Sequence, residues 1–191
     1  MSPKGRPEGE SVPKRVSAEG SPVSGRAFSI GAGQPQDAPA LAAMIRALAD
    51  YERLSHLCVG TEDDLRAAIW GPDPAAEVLI ARVDDVPVGF ALFFHTFSTF
   101  LAHRGLWLED LFVYPEHRGA GIGKALLRAV AAVARDRGCG RFEWSVLDWN
   151  APAIRFYESL GATVMPDWRI VRVAGAAMES LALGTAPDRP A

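Results

Sequence analysis

The apolar residues of this chain follow two rhythms, and their order predicts a layered α/β protein. Residues 28–32 read as a short strand. Leu41, Met44, Ile45 and Leu48 then recur at three- and four-residue spacing, the stripe of an amphipathic helix with Asp37 as its N-cap. Thr61 and Asp64 form a capping box, with Asp in place of the usual Glu, and open a shorter helix to Trp70 that Gly71-Pro72 stops. Residues 77–83 and 88–96 flank the turn Asp84-Asp85-Val86-Pro87 and read as an antiparallel hairpin. An aromatic loop over 97–105 leads to a central strand over 106–113, which Tyr114-Pro115 ends because proline has no N–H for a ladder.

The strongest helical pattern follows Gly121. Ile122, Leu126, Ala129, Val130 and Val133 share one face, and Gly138 closes the helix. A strand over 142–147 comes next. Asn150 then caps a helix with Pro152 in its first turn, where a missing N–H costs little, and Gly161 ends it. A last strand is expected over 168–173 and a weak helix over 176–182. There is no internal repeat. This order predicts a mixed α/β (α+β) fold, with a central, mostly antiparallel sheet flanked by helices.

Composition narrows the function classes. The 191 residues are 49% apolar and 23% charged, with a net charge of -3; this is a globular balance without the basic surplus of a nucleic-acid binder. No apolar run reaches the about 18 residues a membrane span needs, so no membrane association is expected. The lysines and arginines of the N-terminus are followed by no apolar segment of the secretory kind. Residues 1–25, rich in Ser, Pro, Gly and charge, are expected to be a disordered tail, as is 184–191, with one domain over 26–183. Cys58 and Cys139 lack metal-type spacing, and so do His56, His95, His103 and His117. No metal is expected, and reduced cysteines suit the cytoplasm.

Two motifs carry candidate chemistry. Arg118-Gly119-Ala120-Gly121-Ile122-Gly123 lies between a strand and the strongest helix. Its glycines admit close approach to the backbone, and the helix N-terminus adds partial positive charge, which together suit a pyrophosphate. On its own the same run is equally a glycine turn feeding a helix. The second motif is Asn150-Ala151-Pro152-Ala153-Ile154-Arg155-Phe156-Tyr157-Glu158-Ser159-Leu160-Gly161.

Together, Arg-Gly-x-Gly-x-Gly and Asn-x-x-Ala-x-x-Phe-Tyr-x-x-x-Gly, separated by a helix and a strand, resemble the GCN5-related N-acetyltransferase (GNAT) superfamily. Leu108-Glu109-Asp110-Leu111-Phe112-Val113, the Tyr51-Glu52 pair, and Glu143-Trp144-Ser145-Val146 before Trp149-Asn150 are similar to diamine (spermidine/spermine) and thialysine-type N-acetyltransferases. The stretch 162–167 departs from the usual acidic pattern of those enzymes.

The resemblance implies an acetyl-CoA-dependent transfer of an acetyl group directly to the primary amine of a small cationic substrate, by a homodimer. It implies Tyr157 as the acid that protonates the leaving thiolate, and it strengthens Glu109 as the base. Strand alternation groups Glu109 with Trp107, Leu111 and Val113 and sends Asp110 to the other face unless a bulge intervenes. Leu111, Phe112 and Val113 are expected to pair with the pantetheine arm. Gly119, Ala120, Gly121, Ile122 and Gly123 would hold the pyrophosphate, with charge from Arg118 and Lys124. Asn150, Pro152 and Ala153 would line the cofactor's other side. Tyr51, Glu52, Glu109, Asp110, Glu143, Trp144 and Ser145 are the candidates for the amine. Two other readings stand beside this one, a peptide or protein-lysine acetyltransferase and a non-catalytic acyl-CoA sensor.

Overall fold

A computed structural model describes residues 27–185; the tail expected at 1–25 lies outside the described residues, as do residues 186–191 of the tail expected at 184–191. The chain divides after Ser145 into two compact units.

The first unit is built on a five-stranded sheet in the order β1-β2-β3-β4-β5. Its strands are β1 (Phe28–Ala32), β2 (Glu77–Val83), β3 (Val86–Ser98), β4 (His103–Val113) and β5 (Arg141–Trp144). Neighbours from β1 to β4 run antiparallel, and β5 runs parallel to β4. Asp84 and Asp85 both have positive φ, 49° and 64°. They form a two-residue hairpin turn whose twist matches the flanking strands, so Val86 and Pro87 join β3 instead of the turn.

Helices α1 (Ala38–Glu52) and α2 (Glu62–Trp70) and helix α3 (Ile122–Asp136) complete the unit. Leu41, Met44 and Ile69 pack with Val78, Ile80, Phe90 and Phe112, which fixes the sheet face that α1 and α2 cover. Leu126 and Val130 of α3 are fully buried, and a Cβ on Gly123 would touch Val113 at 3.9 Å, so α3 lies on the Val113 face. The capping box forms as expected, Thr61 receiving the Asp64 amide and Asp64 receiving the Thr61 amide. Asp37 occupies the N-cap position of α1 without capping it. Its carboxylate instead accepts the Gln34 amide at 2.8 Å and both contacts of the Arg82 guanidinium at 2.6 Å. A second ion pair pins the end of α3, where Arg137 binds Glu77 of β2 through two nitrogens and reaches His95 Nε2 at 3.0 Å.

Three expected boundaries move. The β3–β4 ladder continues to Ser98 opposite His103, which shortens the loop expected over 97–105. Its tip leaves Phe97 and Phe100 exposed, so backbone pairing extends where no side-chain burial marks it. β5 ends at Trp144 and not at Leu147, because its pairing with β4 stops at Leu108. The strand expected over 168–173 does not form. Trp168, Ile170 and Val171 are 74%, 69% and 88% exposed there. A strand exists through its ladder, and among the described residues no strand pairs with this stretch.

The second unit holds α4 (Ala151–Glu158) and α5 (Ala176–Leu183). Asn150 caps α4 by accepting the Ala153 amide at 3.3 Å. No helix among the described residues is long and apolar enough to cross a membrane.

Candidate active site

The glycine loop is shaped as an anion cradle. Gly119 and Gly121 sit in the left-handed region at φ 81° and 83°, and open space lies where a Cβ would stand on each. The first helical bond of α3 runs from Ala125 N–H to the Gly121 carbonyl at 2.9 Å, so the preceding amides of the first turn are outside the helical ladder. Lys124 is exposed on that turn. Backbone donors, helix polarity and a nearby cation fit a diphosphate.

Strand β4 presents a second row of backbone groups. Tyr114 N–H bonds Val88 of β3 at 3.0 Å. In an antiparallel ladder alternate residues turn their amides the same way, so Leu111 and Val113 turn theirs toward the β5 side. β5 covers that side only from Gly105 to Leu108. The Val113 carbonyl is taken by Arg118 Nε at 2.9 Å, whereas its N–H and the Leu111 groups remain on the uncovered edge. The Arg118 guanidinium stacks 5.0 Å above the Tyr51 ring and 5.9 Å from that of Phe112. It thereby ties the glycine loop to the C-terminus of α1, a link with no signal in the sequence.

A bulge in β4 reorganises the carboxylates. Leu108 pairs with Phe93 but Asp110 pairs with Leu92, so Glu109 has no partner across the ladder. Residues directly opposite share a face. Trp107 opposite Phe94, Asp110 opposite Leu92 and Phe112 opposite Phe90 therefore lie on the α1 face, while Leu111 and Val113 lie on the α3 face. The simple alternation that grouped Trp107 with Leu111 and Val113 and set Asp110 apart is corrected: the extra residue inverts the phase after Leu108. Glu109 is exposed and accepts the Trp107 indole N–H at 2.9 Å. Asp110 is half-buried. Burial, then the charges of Glu109 and Glu52, raise it to about 7. Burial also raises Glu52 at the end of α1.

The remaining candidates separate. Glu143 lies opposite Trp107, hence on the carboxylate face, and pairs with Arg141 at 2.6 Å. Trp144 lies opposite Leu108, on the other face, and packs against Phe142 at 4.9 Å between ring centroids; the structure does not bring it to Tyr51 and Glu52. Ser145 is exposed at the end of the first unit. In the second unit Asn150 and Ala153 form the α4 cap beside exposed Pro152, and Tyr157 is half-buried with its ring 5.3 Å from that of Phe156. Burial pushes the Cys139 thiol up, against the pull of Arg137 and Arg104, which does not suit a nucleophile. Among the described residues no group of three or more His, Cys, Asp or Glu is placed to hold a metal.

The model of the acetyltransferase (GNAT) family matches residues 42–162. The chain belongs to the GNAT family. An L-ornithine N5-acetyltransferase of Arabidopsis thaliana is 33% identical over 225 residues, covering 94% of this chain and 96% of the relative. A thialysine N-epsilon-acetyltransferase of Sus scrofa is 41% identical over 150 residues, covering 73% and 88%. Among solved structures, an integron cassette protein from the mobile metagenome of V. cholerae superposes with a TM-score of 0.69 at 25% identity, covering 81% of this chain and 97% of that one. This GNAT chain is thus an N-acetyltransferase, and acetyl-CoA is the family's acyl donor.

Proposed function

We propose that this enzyme moves an acetyl group from acetyl-CoA directly onto the primary amine of a small cationic substrate, a diamine, a polyamine or an amino acid of the thialysine or ornithine kind. One observation carries the reading: Glu109, which accepts the Trp107 indole N–H, and Glu52 of α1 both act electrostatically on Asp110, and Tyr51 at the end of α1 is tied by Arg118 to the glycine loop. Carboxylates draw in an ammonium group, and Tyr51 and Trp107 add aromatic faces that attract cations by on the order of 1 kcal/mol. The names of the relatives support the same substrate class.

In this reading the amides of the loop from Gly119 to Lys124 hold the diphosphate, and Leu111 and Val113 pair with the pantetheine arm as an added strand would. The Val113 N–H polarises the thioester carbonyl. Asn150, Pro152 and Ala153 line the cofactor, and Tyr157 donates the proton that the departing thiolate needs. A homodimer resident in the cytoplasm completes the proposal. It is supported by the likeness to small-amine acetyltransferases and by two free cysteines, Cys58 and Cys139.

The test is thiol release from acetyl-CoA against spermidine, putrescine, ornithine, thialysine, lysine, aminoglycosides and lysine-containing peptides. Turnover is expected on free amines that carry a second charge. Turnover confined to peptides would replace this reading with a protein acetyltransferase. Binding of acetyl-CoA with no turnover on any acceptor would replace it with a sensor.

A further inference from the structure

An alkyl ammonium, with an ordinary pKa of about 10, must lose a proton before its nitrogen can attack a thioester. Two neighbouring carboxylates on β4 could take that proton, and the bulge gives them different surroundings. Glu109 is the unpaired residue of the bulge. It is exposed, and one of its oxygens already accepts the Trp107 indole N–H at 2.9 Å. Asp110 is drawn back into the ladder opposite apolar Leu92, on the face that α1 covers. Among the described residues nothing donates a hydrogen bond to its carboxylate.

We infer that Asp110, with Glu52 beside it, takes the proton from the substrate ammonium, while Glu109, held by Trp107, binds the substrate's charge. The inference rests on the amine reading given above and assigns the roles within it. The charges that act on Asp110 are Glu109 on its own strand and Glu52 from α1; the nearby Arg118 guanidinium is engaged with the Tyr51 and Phe112 rings. Across the ladder on β3, Asp110 faces Leu92. Glu143 of β5 lies opposite Trp107 and is paired with Arg141.

One N–H bond of the ammonium breaks, its electron pair stays on nitrogen, and the proton bonds to an Asp110 carboxylate oxygen. The lone pair forms the C–N bond at the thioester carbonyl carbon, and the C–S bond breaks with its pair on sulfur. The second proton lost by nitrogen goes to that sulfur, giving the free thiol. Asp110 returns its proton to solvent. A carboxylate brought to about 7 by burial and by two like charges is a better proton acceptor at neutral pH than one near the ordinary value.

The experiment is the pH dependence of kcat and kcat/KM, from pH 5.5 to 10, for the wild type, Asp110→Asn, Asp110→Glu and Glu109→Gln on the best amine of the panel. In the wild type, kcat/KM should fall with unit slope below about pH 7. Asp110→Asn should lower kcat at pH 7 by on the order of a hundredfold or more with unchanged CoA affinity. Its rate should then climb with pH as the free amine accumulates, and Asp110→Glu should restore part of the acidic limb. Glu109→Gln should raise KM for the amine by on the order of tenfold, keep the acidic limb, and lower kcat less than Asp110→Asn does. A folded Asp110→Asn enzyme with kcat within threefold of wild type would overturn the assignment, as would loss of the acidic limb in Glu109→Gln alone. A wild type that binds CoA but releases no thiol with any amine would instead remove the amine reading beneath it.

Discussion

Asp110→Asn also tests the reasoning through stability, where no substrate is needed. Folding takes this carboxylate from water to a half-buried position beside Glu109 and Glu52, and its pKa rises from the ordinary 3.8 to about 7. Between those values the folded protein holds a proton on Asp110 that the unfolded chain has released. Stability therefore falls as pH rises through this window, and the charged form is the unfavourable one above it. The displacement corresponds to about 4 kcal/mol as an upper figure, and to about 2–4 kcal/mol once partial solvent access is allowed for. Asparagine keeps the shape and carries no charge at any pH. The difference in unfolding free energy, mutant minus wild type, should thus become more positive by about 2–4 kcal/mol between pH 4.5 and 8.5. For a protein of this size that is a relative gain in Tm of about 5–15 °C. Chemical denaturation at both pH values, with scanning calorimetry beside it, measures the quantity, and the double difference cancels every group that titrates alike in both proteins. A pH-independent difference, or a mutant less favoured at pH 8.5 than at pH 4.5, would show that Asp110 is not desolvated and would remove the basis for its role as proton acceptor. A variant that gains stability while losing activity is the expected trade at a site built against local comfort.

Gly121→Val places a β-branched residue at φ 83° and fills the open space of the glycine loop; CoA affinity by calorimetry should drop at least tenfold, with about 1–2 kcal/mol lost from stability through backbone strain. Tyr157→Phe should lower kcat by on the order of a hundredfold with acetyl-CoA affinity nearly unchanged, and near-normal turnover would remove Tyr157 from the chemistry. Arg137→Ala deletes both contacts to Glu77 and the one to His95 at the end of α3; denaturation should show a loss of about 2–3 kcal/mol, because the Glu77 carboxylate is left without its partner.

Most elements were legible because their signals are local. The helix after Gly121 was readable because its apolar stripe returns every three or four residues and all of that stripe is buried, from Ile122 at 2% to Val133 at 4% exposed. The Thr61–Asp64 box was readable because both partners lie within one turn. The 168–173 stretch shows the limit of this. Its apolar composition is that of a strand, but a strand also needs a free edge to bond to, and composition says nothing of edges.

The site was legible as residue types and illegible as geometry, and Glu109 and Asp110 show why. Period-2 alternation is an argument about phase, and one inserted residue changes the phase of everything after it. Nothing in Leu108-Glu109-Asp110-Leu111 marks which residue is the extra one; the ladder to β3 decides it, by pairing Phe93 with Leu108 and Leu92 with Asp110. The cost of opening the ladder there falls on Glu109, whose side chain can reach water and the Trp107 indole. The consequence falls on Asp110, which is carried to the apolar α1 face as a carboxylate. Two adjacent acids of nearly identical chemistry thus acquire different surroundings from one backbone irregularity, and burial beside two like charges raises Asp110. A sheet without the bulge would set them on opposite faces, where the proposed amine-binding charge and the proposed proton acceptor could not meet one substrate.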